Sequence, residues 1–270
     1  MPWSITSDVR ELLASAGEFL AASPVEHTPL LTEAAYLARR PRPDEDQSYG
    51  WWTDSGGAVA GAFVRAPHHP PVLTPMPDAA VDGLVAVLDV DGGVGCDVTT
   101  VDRVEEVWAR EGVSLRPRQR LVIHRLGTFR APAPTAGMSR TADRDDRALL
   151  HRWFDELMAA HPGDPSDREY VVDDPLDDGR IVLWEVEGVP VAMAGHTRPL
   201  HGMTRVGAVH VSSGDPRVET AVLAAACVKA AEVADQVLVL AGTTDREGTA
   251  RLAALGYRAV RERVLLAPVT

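Results

Sequence analysis

His196, His210 and Glu185 are side chains of types that can move a proton, and they lie on what read as consecutive strands of one sheet. A neutral imidazole accepts a proton at pH 7, and a general base works within hydrogen-bond or one-water reach of its target. If the strand carrying His210 alternates regularly, His210 shares a face with Val206, Ala208 and Ser212. An ordinary strand or edge histidine is the competing reading for each. His201, in a turn, is a weaker candidate, and His68 and His69 are adjacent on extended backbone, where their side chains diverge. With no third ligand nearby, no metal site is expected. Asp173, Asp174, Asp177 and Asp178 flank Pro175-Leu176 and form either a cation-attracting patch or an exposed acidic loop. Trp51, Trp52, Trp153 and Trp184 read as packing residues. Cys96 and Cys227, far apart and without a ligand set, read as reduced, buried thiols.

The elements that must hold these residues follow from apolar spacing and turn chemistry. A helix over 8–22, capped by Thr6 or Ser7, ends at Pro24, and Thr28-Pro29 opens a second. Strands over 49–53 and 58–65 flank the turn Asp54-Ser55-Gly56-Gly57. Val72-Leu73, a helix over 78–88, a turn at Asp91-Gly92-Gly93, a helix over 100–110 and a strand over 119–126 complete the first half. Gly92-Gly93-Val94-Gly95 resembles a phosphate loop only superficially and reads as a turn. Residues 130–140, rich in Pro and Ala, read as a linker. The second half then gives a helix over 144–161 and strands over 181–186, 189–197 and 205–211. A helix over 218–233, a strand over 236–240, a helix over 247–255 and a strand over 258–267 follow.

The two halves rhyme: Trp52, Gly57 and Ala60-Gly61-Ala62 parallel Trp184, Gly188 and Ala192-Met193-Ala194. An α+β chain of two duplicated domains, 1–132 and 133–270, is expected, each a mixed, mainly antiparallel twisted sheet flanked by helices. At 45% apolar residues, 270 residues can bury one large core or two modest ones. The net charge of −12 argues against nucleic acid as a partner and would tolerate a cationic or amine-bearing small molecule. No signal peptide and no bilayer-length apolar run are evident, so a cytoplasmic protein without a membrane partner is expected. The sequence leaves the oligomeric state open.

The stretches LWEVEGVPVAMAGHTRPL, TRVGAVHVSSGD and ARLAALGYRAV resemble the GNAT acetyltransferase superfamily. With PVEHTPLLTEAAYL and YGWWTDSGGAVAGAFVRAPHHPPVL, the whole chain resembles the two-domain bacterial members, in which a diverged GNAT-like half precedes the half that binds acetyl-CoA. The resemblance implies that residues 204–211 form the strand whose backbone, around Val209 and Val211, meets the pantetheine arm. It also implies that the pyrophosphate loop falls on residues 214–221. In the family that loop is Arg/Gln-x-x-Gly-x-Gly/Ala, and its amides point at the pyrophosphate. Here the corresponding residues are Gly214, Arg217, Val218, Glu219 and Thr220, with Arg217 and Glu219 where glycines should stand and Pro216 lacking an N–H. The family's cofactor-contacting Asn falls on Thr249 and its thiolate-protonating Tyr on Leu252.

The activity thus implied is acyl transfer from acetyl-CoA or another acyl-CoA to an amine of a small molecule. His210, His196 and Glu185 are the candidate bases nearest the cleft. The altered loop keeps two alternatives open: a non-acetylating relative that binds a small molecule or a partner, and CoA-independent chemistry in the same cleft. Neither would use a cofactor.

Overall fold

The computed structural model describes residues 3–269. The chain divides into two compact units, Met1–Ile123 with Val260–Thr270, and His124–Ala259. The first run of elements is β1 (Trp3–Thr6), α1 (Val9–Ala22), α2 (Thr28–Arg39), β2 (Ser48–Thr53), β3 (Val59–Arg65), β4 (Val72–Leu73), α3 (Asp78–Asp82), β5 (Val94–Asp97), α4 (Val101–Arg110) and β6 (Leu115–Leu126). The second is β7 (Met138–Thr141), α5 (Arg147–Ala160), α6 (Asp174–Asp177), β8 (Ile181–Val186), β9 (Val189–His196), β10 (Met203–Val211), α7 (Pro216–Ala231), β11 (Gln236–Gly242), α8 (Arg246–Leu255) and β12 (Tyr257–Pro268). Both runs have the same order: strand, two helices, three strands, helix, strand, helix, strand.

In the first unit the strands are ordered β1-β2-β3-β4-β5-β12, and in the second β11-β10-β9-β8-β7. Each sheet is antiparallel except at one place, β4 beside β5 and β10 beside β11. The first sheet is closed by the chain's last strand, with Arg263↔Asp97 and Leu266↔Val94 in register. The boundary expected at 132/133 is therefore corrected. The first unit ends at Ile123, residue 133 lies inside the second, and β12 crosses back from Val260 onward.

Local chemistry accounts for most element ends. α1 is capped by Asp8, whose carboxylate accepts from the Arg10 amide, rather than by Thr6 or Ser7. The helix expected over 78–88 breaks at Gly83 into α3 and a single 3₁₀ turn, Leu84–Ala86. The supposed turn at Val94-Gly95 belongs to β5, and the end of the supposed linker, Met138–Thr141, pairs with β8 as β7. A π-helical turn at Glu169–Asp173, absent from the sequence reading, leads into α6. The first core gathers Trp3, Phe63, Leu73, Val94, Trp108 and Val264. In the second unit the sheet separates two clusters. Val182, Ala194 and Val206 pack under α7 and α8, while Leu183 and Met193 pack under Trp153 and Phe154 of α5.

Candidate functional site

The site begins where β10 parts from β11. The two strands pair in parallel only at Met203↔Gln236, Thr204↔Val237 and Arg205↔Leu238. No later pair joins them among the described residues, although β10 runs to Val211 and β11 to Gly242. On its other edge β10 stays paired to β9, but the register moves from Val206↔His196 to Val209↔Ala194. Three steps on β10 oppose two on β9, so one extra residue sits at Gly207-Ala208, a β-bulge.

One extra residue reverses the alternation. Val206, Val209 and Val211 all pack toward the α7 cluster. His210 lies opposite Met193 on the other face, with its ring 5.3 Å from Trp153 of α5. His210 therefore does not share a face with Val206, because the regular alternation assumed from the sequence stops at Gly207.

His210 is largely buried, with its side chain 12% exposed, and its Nε2 lies 3.0 Å from Oε2 of Glu156. The two groups are out of line, so Nε2 has no hydrogen bond and the contact is electrostatic. Burial pushes the His210 pKa below its ordinary value, and the Glu156 carboxylate opposes that shift. The net shift favours the neutral imidazole, and the neighbouring Glu156 carboxylate is exposed. Trp153 and Glu156 are three residues apart on α5 and so share a helical face. The sequence reading missed Glu156; the i, i+3 spacing from Trp153 was its available signal. On the same side, Arg205 donates to the hydroxyl of Tyr170 in the π turn at 3.2 Å.

The other two candidate bases do not join His210. His196 pairs with Val206, and Lys229 of α7 is among the charges it feels, so it belongs to the opposite face. It is buried, with Nδ1 3.0 Å from the Thr197 carbonyl, and desolvation lowers its pKa. Glu185 accepts from Arg140 Nε at 2.7 Å, and the same guanidinium holds Asp146 at 2.6 and 2.8 Å. Glu185 is one carboxylate of a structural ion-pair network.

The loop after β10 is closed on itself. The Gly214 amide donates to the Val211 carbonyl, and Gly214 has φ +66°. The Asp215 amide donates to Ser213 Oγ. Asp215 caps α7, its carboxylate accepting the Arg217 amide at 2.8 Å. The Arg217 side chain folds back onto the same carboxylate, 3.1 Å away. These contacts hold the Asp215 carboxyl below its usual range. Thr220 Oγ1 donates to the Pro216 carbonyl at 2.7 Å. Glu219 is ion-paired with Arg251 of α8. Val218 is buried in the α7 core with Val209 and Val211, so its side chain points away from the loop. Thr249, in the first turn of α8, is exposed and donates to the Asp245 carbonyl at 2.8 Å. Leu252 is core, and the nearby phenol of Tyr257 is buried against Cys227 Sγ at 2.9 Å. A shallow groove of about 290 Å³ lies elsewhere, between residues 132–135 and the outer face of α7, and no titratable side chain lines it.

No protein-family model matches the sequence, and no curated protein matches it. Solved structures do. A GNAT-family acetyltransferase from Colwellia psychrerythraea matches at 9% identity and TM-score 0.63, covering 100% of both chains. A GCN5-related N-acetyltransferase from Sphaerobacter thermophilus matches at 14% identity and TM-score 0.62, covering 98% of this chain and 95% of its own. One from Kribbella flavida matches at 17% identity and TM-score 0.55, over 79% of this chain and 89% of its own. The fold is that of the GNAT acetyltransferases, an α+β arrangement with a mixed, mostly antiparallel sheet. Fold alone does not fix chemistry.

Proposed function

We propose that the second unit is an N-acyltransferase of the GNAT type, moving an acyl group from a thioester to the amine of a cationic small molecule. The observation that carries this reading is His210. It is a partly buried imidazole on the stretch of β10 that has left β11, just past a bulge, and its lowered pKa favours the neutral form. Its position there supports its role as general base. It removes a proton from the incoming ammonium or from the amine as attack proceeds. The nitrogen bonds to the thioester carbonyl carbon, the C–S bond breaks and the thiolate leaves. The proton passes from His210 toward solvent along Glu156, and the thiolate takes one back from solvent, so amine and thioester become amide and thiol. Leu252 holds the family's phenol position and the Tyr257 hydroxyl is buried against Cys227, which supports solvent as that proton source. The exposed Glu156 carboxylate and the chain's net charge of −12 support a cationic acceptor.

The test is transfer from a small acetyl thioester to a panel of primary amines and diamines, read by mass spectrometry. His210→Gln should lower kcat/KM by about 10²- to 10⁴-fold with an unchanged melting temperature. Equal activity of that variant and the parent would remove His210 from the mechanism, and no transfer to any amine would end the reading. The self-capped loop favours a second reading, an amine-binding protein that transfers nothing. Calorimetric binding of an amine together with no transfer from any thioester would select it.

A further inference from the structure

The acyl donor of GNAT enzymes ordinarily presents a diphosphate to the helix that follows the splayed strand, and the residues here do not fit that group. Anion binding at a helix start needs free amides and an electropositive surrounding. At α7 both are largely taken by the chain itself. The Arg217 amide is held by the Asp215 carboxylate, which also lies beside the Val218 amide. Pro216 has no N–H, and the Glu219 amide already donates to the Asp215 carbonyl at 3.0 Å. The two guanidiniums within reach are also committed, Arg217 to Asp215 and Arg251 to Glu219. Thr220, the one hydroxyl in the first turn, donates to the Pro216 carbonyl. A diphosphate arriving here meets two carboxylates, and of these donors only the Val218 amide is left without a hydrogen bond, beside the Asp215 carboxylate. The splayed edge of β10, by contrast, keeps Val209, His210 and Val211 only partly covered.

From this disagreement we propose that the donor is a thioester of pantetheine that presents no diphosphate to the α7 N-terminus, with Asp215 standing in for that anion. The proposal rests on the acyltransferase reading above and specifies its donor. An Asp N-cap is part of the chain, so it refills the anion position whenever an incoming group leaves. Each charge-assisted hydrogen bond that a diphosphate cannot make here forfeits about tenfold or more in affinity. The pantetheine arm alone loses nothing by the substitution. The same arm occurs free or tethered through a single phosphodiester to another molecule, and neither form brings a diphosphate.

Isothermal titration of the full chain with CoA and with pantetheine decides it without requiring turnover. The expected result is dissociation constants within about threefold of each other, with CoA binding tightening as salt is raised from about 20 to about 500 mM, which shortens the screening length about fivefold. Salt relieves repulsion from Asp215 and Glu219, whereas a true phosphate grip weakens in salt. Asp215→Gly frees the capped amide with little loss of helix stability, and it should tighten CoA by about tenfold or more while leaving pantetheine unchanged. Asp215→Asn keeps the cap occupied, and should recover much less. CoA bound about tenfold or more tighter than pantetheine by the parent chain overturns the donor assignment while leaving acyl transfer standing. So does an Asp215→Gly variant that gains nothing. Absence of binding by both ligands, with no transfer from acetyl-pantetheine, overturns the acyltransferase reading itself. Transfer rates from acetyl-pantetheine and from an acetylated phosphopantetheinyl carrier then separate the free from the tethered source.

Discussion

Three histidines, His27 and His196 buried and His210 partly so, tie the chain's stability to pH in one direction. His27, His196 and His210 all have pKa values pushed below the ordinary 6.5, in each case with desolvation as the largest cause. Arg263 acts in the same direction on His27, and Arg180 and Lys229 do so on His196, while Glu156 opposes the shift at His210. A lowered folded pKa means that the unfolded chain takes up protons first as pH falls. The stability contribution is therefore complete above about 6.5 and is lost from there down through the folded values. Urea midpoints should fall between pH 7.5 and 5, by at most about 1.4 kcal/mol per pH unit for each histidine titrating. His196→Gln should flatten the curve, and a midpoint that rises on acidification would show the imidazoles to be paired as cations. The same signs govern catalysis. Because Glu156 raises the His210 pKa, Glu156→Gln should move the acid limb of the kcat/KM profile to lower pH. A limb that stays in place would mean that Glu156 does not sense the base.

Secondary-structure elements show why some of the site was legible and some was not. Helices and hairpins announce themselves through spacing and turn residues, so α5, β8, β9, β10 and α8 stand near where their apolar patterns put them. The facing of His210 does not follow from pattern, because Gly207-Ala208 looks like any small pair in a strand. Only the pairing to β9 reveals the extra residue that turns His210 away from Val206. A glycine inside a strand was the one available hint. Glu185 and His196 were legible as strand residues, but their partners, Arg140 and the Thr197 carbonyl, are features of the folded chain. Likewise Val218 read as a residue of the pyrophosphate loop, whereas α7 turns it into the core. Glycine reverts better to prediction at the end of α8. Gly256 adopts φ +100°, and a Cβ there would stand 2.0 Å from the Thr128 carbonyl oxygen. Gly256→Ala should therefore cost more than about 1 kcal/mol in urea unfolding. A neutral substitution would mean that the turn from α8 into β12 relaxes freely.

At the scale of the whole chain, the two runs of strands and α-helices follow one order. The sequence could not show which strand closes which sheet, because residues on β12 carry no mark of their partner. Register answers it: Val264 lies against Cys96 and Leu266 against Val94, and the first unit is incomplete without its distant C-terminal segment. Charge strengthens the join. Asp97 is fully buried and has Arg261 Nε at 3.0 Å, while Arg263 donates to the Leu73 carbonyl at 2.7 Å. A chain ending at Ala259 would strip β5 of this neighbour and remove the cation beside Asp97, and breaking a buried pair of this kind destabilises by roughly 3–5 kcal/mol. The two cysteines provide a reporter. Burial raises both thiols to about 11, so neither should react with an aromatic disulfide at pH 8 in the intact chain. Truncation should expose Cys96, which pairs with β12, but not Cys227, which stays under Tyr257 in the second unit. One thiol per chain should therefore become titratable. Two would mean that the units unfold together, and none would mean that β12 is dispensable to the sheet it completes.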